Sequence, residues 1–286
     1  MSYLRWDESM RIGVDFVDAD HKVLVELINH VQDAIGDREE FSTLGSVLRA
    51  LADYTDYHFA REEKLLELCG YPELDEHRES HAALIGKLQG ISRRYEAEPE
   101  SVRADEVLEF LRSWLKDHIL SHDRAYQPWC EGKQAEAREA AGIRMTGQSK
   151  PLDWTKLRVL VVDDNANFGD LLATLFQGMG VTDVRIAYNG QQALSMLDER
   201  PVDLVMCDWF MEGVDGLQFI HRVRTHPKDQ INGMALVMLT GNGEDFIRDQ
   251  ALSAGADAFL EKPVTARDIV LTVVRVIAEN QRAIGA

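Results

Sequence analysis

The sequence predicts two domains of different class: an all-α up-and-down four-helix bundle, then an α/β unit on a parallel five-stranded sheet. Three observations carry that expectation. The chain has 286 residues, more than one ordinary domain. Apolar positions recur at helical spacing up to about residue 131. Beyond about residue 156, short β-branched runs alternate with helical segments.

In the first half, Val23, Leu24, Leu27, Ile28 and Val31 share one helix face, as do Leu44, Val47, Leu48 and Leu51, and then Leu84, Ile85, Leu88 and Ile91. Gly36-Asp37, Tyr71-Pro72 and Glu98-Pro99 are the breaks. Helices are predicted at 15–36, 41–69, 74–95 and 102–131. Four such helices with short connections bury their apolar faces most simply as a bundle. The segment QAEAREAA either extends the fourth helix or stands free, Gly142 is a natural stop, and GQSKP has the composition of a linker. The expected organisation is a bundle over 1–135, a linker over 136–155 and a second domain over 156–286.

In the second half RVLVV, DVRIA, VDLVMC, ALVML and AFLE read as strands, with helices starting near Asn165, Gly190, Asp215, Gly243 and Ala266. Five such units predict a parallel sheet covered on both faces. In open α/β sheets chemistry sits at the carboxyl ends of the strands, which is where the acidic residues cluster.

Charge narrows the function. There are 19 basic against 30 acidic residues up to Lys150, and 12 against 19 beyond it. Surfaces this negative repel phosphate backbones, so neither half is expected to bind nucleic acid. Cys69, Cys130 and Cys207 form no CxxC pair, which suits a reducing compartment. No apolar run is long enough to span a bilayer and the N-terminus lacks signal-peptide character, so a cytoplasmic location without membrane contact is expected.

Seven of the nine histidines lie before residue 123, with only His221 and His226 after it. His58 and Glu62 are four apart, as are His77 and His81, so each pair shares a helix face. His21 on the first helix and His118 with Asp123 on the fourth would bring donors from every helix to the bundle centre, a usual place for a metal. Single histidines are more often structural. The joint spacing sets this group apart.

The segments VDADH, HFAREE, HRESH and HILSHD resemble the hemerythrin family across the whole first domain. The resemblance implies a non-haem di-iron centre that binds O2. His77, His81 and His118 would hold one iron, His21 and His58 the other, and Glu62 and Asp123 would bridge the two. Helical spacing alone pairs His118 with His122 and sets Asp123 about 140° away from His118. The resemblance favours Asp123, with a π-type widening to relieve the angle. His122 and Glu63 are then bystanders. Leu115, one turn before His118, is the expected apolar wall of an O2 pocket, while Trp114, Tyr54 and Tyr57 are pocket or core residues, with core the favoured reading.

In the second domain Asp163 and Asp164 end the first strand, Asp208 the third, Thr240 the fourth, and Lys262-Pro263 the fifth. Three carboxylates at one edge call for a cation, and Mg²⁺ suits them. A carboxylate beside it can accept a phosphoryl group, and a hydroxyl with an ammonium supplies the charge stabilisation.

VLVVDDN, MCDWFMEGVDGL, VMLTGN and FLEKPV resemble a two-component response-regulator receiver, a flavodoxin-like (βα)5 fold, over about 156–281. The resemblance implies Mg²⁺ at Asp163, Asp164 and Asp208, phosphoryl acceptance at Asp208, and contacts from Thr240 and Lys262. It further implies a cis Lys262-Pro263 bond and an aromatic switch at Phe259 coupled to Thr240. Phe210 and Asn242 flank the path of hydrolytic water, and a bulky apolar Phe210 predicts slow self-dephosphorylation.

Together these features predict an O2- or redox-responsive response regulator phosphorylated by a separate sensor histidine kinase, with a homodimer possible through the receiver. No DNA-binding, cyclase or kinase segment is expected behind the receiver, and no enzyme activity beyond the receiver's own phosphorylation and dephosphorylation. The alternatives are an O2 carrier whose receiver only localises or regulates it, and a di-iron enzyme handling peroxide or NO.

Overall fold

A computed structural model of the chain describes residues 3–36, 41–146, 152–241 and 245–284. The GQSKP segment, Asn242 and Gly243 lie outside the described residues. The chain divides into two compact units, Met1–Gln148 and Ser149–Ala286.

The first unit is built on α1 (Asp15–Gly36), α2 (Phe41–Cys69), α3 (Leu74–Ala97) and α4 (Ala104–Asp117). The fourth helix continues through a π-helical turn, His118–Asp123, into α5 (Arg124–Cys130). α2 packs against both α1 and α3, and α1 against α4. Most of the apolar positions read from the sequence are the core: Leu24, Leu27, Ile28, Val31, Val47, Leu48, Leu51, Leu84, Leu88 and Ile91 are buried, while Val23, Leu44 and Ile85 are half-buried. Gly132, at φ +77°, turns the chain after α5. QAEAREAA then stands free of the fourth helix as α6 (Gln134–Ala141), capped at Gly142, within the span read as linker. α6 packs on α2 and its Ala140 is fully buried.

The second unit holds five parallel strands in the order β2-β1-β3-β4-β5. They are β1 (Arg158–Val162), β2 (Asp183–Ala187), β3 (Leu204–Asp208), β4 (Ala235–Thr240) and β5 (Ala258–Glu261). Around them run α7 (Ala166–Gly178), α8 (Gly190–Glu199), α9 (Gly216–Arg224), α11 (Asp245–Ala254) and α12 (Ala266–Ile284). A single turn, α10 (Asp229–Asn232), was not foreseen from the sequence. β1, β3 and β4 are buried almost throughout, as two-sided cover requires.

Side chains cap three helices where the sequence placed their starts. Asn165 accepts from the Phe168 amide, Asn189 from Gln192 and Asp215 from Gln218. The order of the sheet reverses between β1 and β3, so their carboxyl ends frame a crevice that receives Asp163 and Asp208. No helix among the described residues is long and apolar enough to cross a membrane.

Candidate metal centre and phosphoacceptor pocket

His21, His58, Glu62, His77, His81, His118 and Asp123 all converge in the bundle interior, and all are buried. Two donor groups form there: Glu62, His77, His81 and His118, and separately His21, His58 and Glu62. Within each group the donor atoms lie within 4.8 Å of one another, and Glu62 belongs to both. Asp123 spans the same two groups. One oxygen is 3.1 Å from His118 Nε2 and 3.7 Å from His77 Nε2, and the other is 3.3 Å from His21 Nε2.

The π-helical turn is what brings Asp123 in. The Arg124 amide reaches back to the Ile119 carbonyl, one residue farther than an α-helix allows. This extra residue swings Asp123 onto the face of His118 and leaves His122 outside, exposed and stacked on His118 at 5.0 Å.

His81 Nε2 and His118 Nε2 lie 3.0 Å apart, but most of these polar groups are not satisfied by one another. Both nitrogens of His21, His77 Nε2, His118 Nδ1, Glu62 Oε2 and both oxygens of Asp123 are buried without a hydrogen-bond partner. Around Glu62 Oε2 the Nε2 atoms of His58, His77 and His81 stand at 3.6, 3.7 and 3.4 Å, too far to bond and open enough for a cation between them. Electrostatics agree. Burial and the nearby His58 push His21 down to about 3, and burial holds His118 well below its ordinary value, so both rings are neutral donors. Burial and the charge of Glu62 drive the Asp123 carboxyl well above its usual range, as expected for two carboxylates buried side by side. The residues present therefore fit a dinuclear metal site with nitrogen and carboxylate donors.

Some residues around the centre were missed from the sequence, and others had been named there. Tyr126, three residues past Asp123, donates its hydroxyl to Glu62. Phe59 stacks on His81 and Trp114 stacks on His118, forming aromatic walls. Leu115 is buried one turn before His118. Glu63 is not a bystander, since its carboxylate lies 2.9 Å from His81 Nδ1. Tyr54 is fully buried core, as expected, but its hydroxyl also donates to Asp20. Asp20 sits immediately before His21 in VDADH, and that adjacency is the signal that would have found it.

In the second unit Asp163, Asp208, Thr240 and Lys262 are buried at the carboxyl edge of the sheet, with Asp164 beside them and exposed. Lys262 Nζ lies 2.9 Å from Asp163 and 2.8 Å from Asp208. The other Asp208 oxygen accepts from the Phe210 amide at 2.9 Å. Burial, reinforced by Asp163 and opposed by Lys262, pushes Asp208 up to about 6. Lys262-Pro263 is cis. Gly216 permits the turn after Asp208: an added Cβ would stand 2.8 Å from Trp209 Cα, so a side chain cannot enter without moving backbone.

Residues 12–130 match the family profile described as Hemerythrin HHE cation binding domain, and residues 159–274 that of the Response regulator receiver domain. The chain belongs to both families, one in each half. It is a response regulator with a hemerythrin domain, and that membership implies non-haem iron. Bacteriohemerythrin of Stenotrophomonas maltophilia is 33% identical over 126 residues, covering 44% of this chain and 80% of that protein. Regulatory protein VanRc of Enterococcus gallinarum is 30% identical over 125 residues, covering 44% of this chain and 52% of that protein. Among solved structures, chemotaxis protein CheY4 of Vibrio cholerae is 26% identical at a TM-score of 0.40, covering 42% of this chain and 98% of that one.

Thr240 and Phe259, the two positions expected from the sequence to act as a switch, lie on neighbouring strands. Thr240 closes β4 with no exposure, and Phe259 on β5 is half-buried against the apolar core. Phe210 is half-exposed beside the acceptor.

Proposed function

We propose that this protein is a response regulator in which a di-iron centre, responsive to O2 or redox state, and phosphorylation of Asp208 by a separate sensor histidine kinase influence one another. The observation that carries the metal half is the double membership of Glu62, a carboxylate common to two buried donor groups. His77, His81 and His118 would hold one iron, His21 and His58 the other, with Glu62 and Asp123 bridging. When bound, the iron pair supplies reversible O2 binding and a change of redox state.

The chain's own residues set the conditions. Neutral His21 and His118 present lone pairs at any physiological pH. Phe59, Trp114 and Leu115 exclude water from the histidine side of the centre. Tyr126 fixes one Glu62 oxygen by donating to it, which leaves the other for the metal.

In the receiver, Asp163, Asp164 and Asp208 would hold Mg²⁺, whose charge offsets that of an incoming phosphoryl group. Asp208 accepts the phosphoryl group while Lys262 and Thr240 stabilise its oxygens. Lys262 is already drawn to the acceptor at 2.8 Å.

The test is phosphoryl acceptance from acetyl phosphate, and its decay, in iron-loaded protein under argon, under air and after ferricyanide oxidation. Rates that differ among the three conditions support coupling. Identical rates leave a carrier whose receiver acts alone, and protein isolated without iron removes the metal half altogether.

A further inference from the structure

Two carboxylates outside the donor groups touch the histidines from behind, one in each group. Asp20, 2% exposed, lies 3.3 Å from His58 Nδ1. Glu63 lies 2.9 Å from His81 Nδ1, with 26% of its side chain exposed. An ionised carboxylate only accepts, so each of these histidines presents an N–H at Nδ1, and Nε2 is the atom left for a metal. Both Nε2 atoms point into the centre, 3.6 and 3.4 Å from Glu62 Oε2. His21 has no such partner on either nitrogen, and His118 has none on Nδ1.

The two contacts differ in strength. Both Asp20 oxygens lie 2.8 Å from Arg61 Nη1, and one also accepts from the Tyr54 hydroxyl at 3.0 Å. The Arg61 guanidinium is itself held against Phe16 and Tyr57, at 4.6 and 4.9 Å from their ring centres. Asp20 thus divides its lone pairs among three donors and has a buried counter-charge. The Glu63 oxygen that serves His81 is closer, and its cation, Arg78, is 3.4 Å from the other oxygen and 43% exposed. A carboxylate behind a ligating imidazole orients the ring and raises its basicity. The His81 contact is the less compensated of the two, and it serves the group with three histidines.

We infer that Asp20 and Glu63 are positioning residues, one for each metal position, and that their inequality makes metal binding sequential. The His77, His81 and His118 group fills first and the His21 and His58 group second. This rests on the di-iron reading above.

Two measurements on the full chain test it. Co²⁺ titration of metal-free protein, followed by visible absorption, reads the two binding events. Asp20→Asn is expected to weaken the second event about 10- to 100-fold and leave the first unchanged, and Glu63→Gln to do the reverse. A variant that shifts both events equally, or neither, overturns the inference. Long-range ¹⁵N NMR of metal-free protein reads the His58 tautomer, expected as Nδ1–H in the wild type and lost in Asp20→Asn. An unchanged tautomer overturns the positioning role of Asp20.

If Asp20→Asn does not fold, the double variant Asp20→Asn/Arg61→Met, which removes both charges of the buried pair, takes its place. A wild-type chain that binds no metal overturns both the di-iron reading and the ordered binding. The tautomer measurement still decides the orienting role separately.

Discussion

With Asp163, Asp164 and Asp208 holding Mg²⁺ as proposed, acidification through about pH 6 is expected to strip it, because burial pushes the Asp208 carboxyl up to about 6 from an ordinary 3.8. Asp163 adds to the shift and Lys262 opposes it. Mg²⁺ binds the ionised form, so protons compete with it. With a group at about 6, apparent Mg²⁺ affinity falls about twofold at pH 6 and about elevenfold at pH 5, relative to about pH 7.5. An ordinary carboxyl would lose roughly a tenth of its affinity or less over the same range.

The same shift has a stability counterpart. A folded-state value above the unfolded one means that this group's contribution is full below about 3.8 and is lost as pH rises through about 6. Two units at about 1.36 kcal/mol each set a ceiling of about 3 kcal/mol at neutral pH. Asp208→Asn should therefore stabilise the Mg²⁺-free receiver at about pH 7.5 by up to that amount. Trp209, buried and next to the acceptor, provides a fluorescence signal for Mg²⁺ titrations across this range. Equal Mg²⁺ dissociation constants at about pH 5 and 7.5, or no stabilisation by Asp208→Asn, would refute the reasoning.

Three further outcomes are expected. Glu62→Ala, which removes a donor from both groups, should leave almost no iron by elemental assay, whereas His21→Ala should keep about one iron per chain, since only one group loses a ligand. Phe210→Asn should shorten the phosphorylated lifetime, measured as loss of label from Asp208, because an amide can orient water where a half-exposed phenyl ring cannot; an unchanged lifetime counts against that role. Gly216→Ala should destabilise the receiver by roughly 1–3 kcal/mol in denaturant melts and slow phosphoryl acceptance, since the new methyl meets the Trp209 backbone just after the acceptor.

Much of the molecule was legible in the primary structure, for identifiable reasons. Histidine and carboxylate pairs at i and i+4 declare a shared helix face whatever surrounds them, so His58 with Glu62 and His77 with His81 could be paired before any fold was known. Strand ends, read from short β-branched runs, placed Asp163, Asp208 and Thr240 at one edge of the sheet. Helical period fails at Asp123, where it selects His122 instead. The resemblance to a family pointed to Asp123, and the π-helical turn is what brings that side chain inward.

Glu63 was misjudged because adjacency to Glu62 points it to another side of the helix, and nothing local reveals that His81 from α3 reaches it there. The network in which Arg61 and Tyr54 donate to Asp20 was passed over for the same reason: each residue is ordinary in its own helix, and the network exists only where α1 meets α2. The sequence by itself determined which side chains are offered to each domain's centre, because periodicity and strand order are local properties of the chain. Only the tertiary structure decided which atoms are left unsatisfied, which carboxylate serves two groups and which pKa values move. Those depend on desolvation and on neighbours brought together from distant positions.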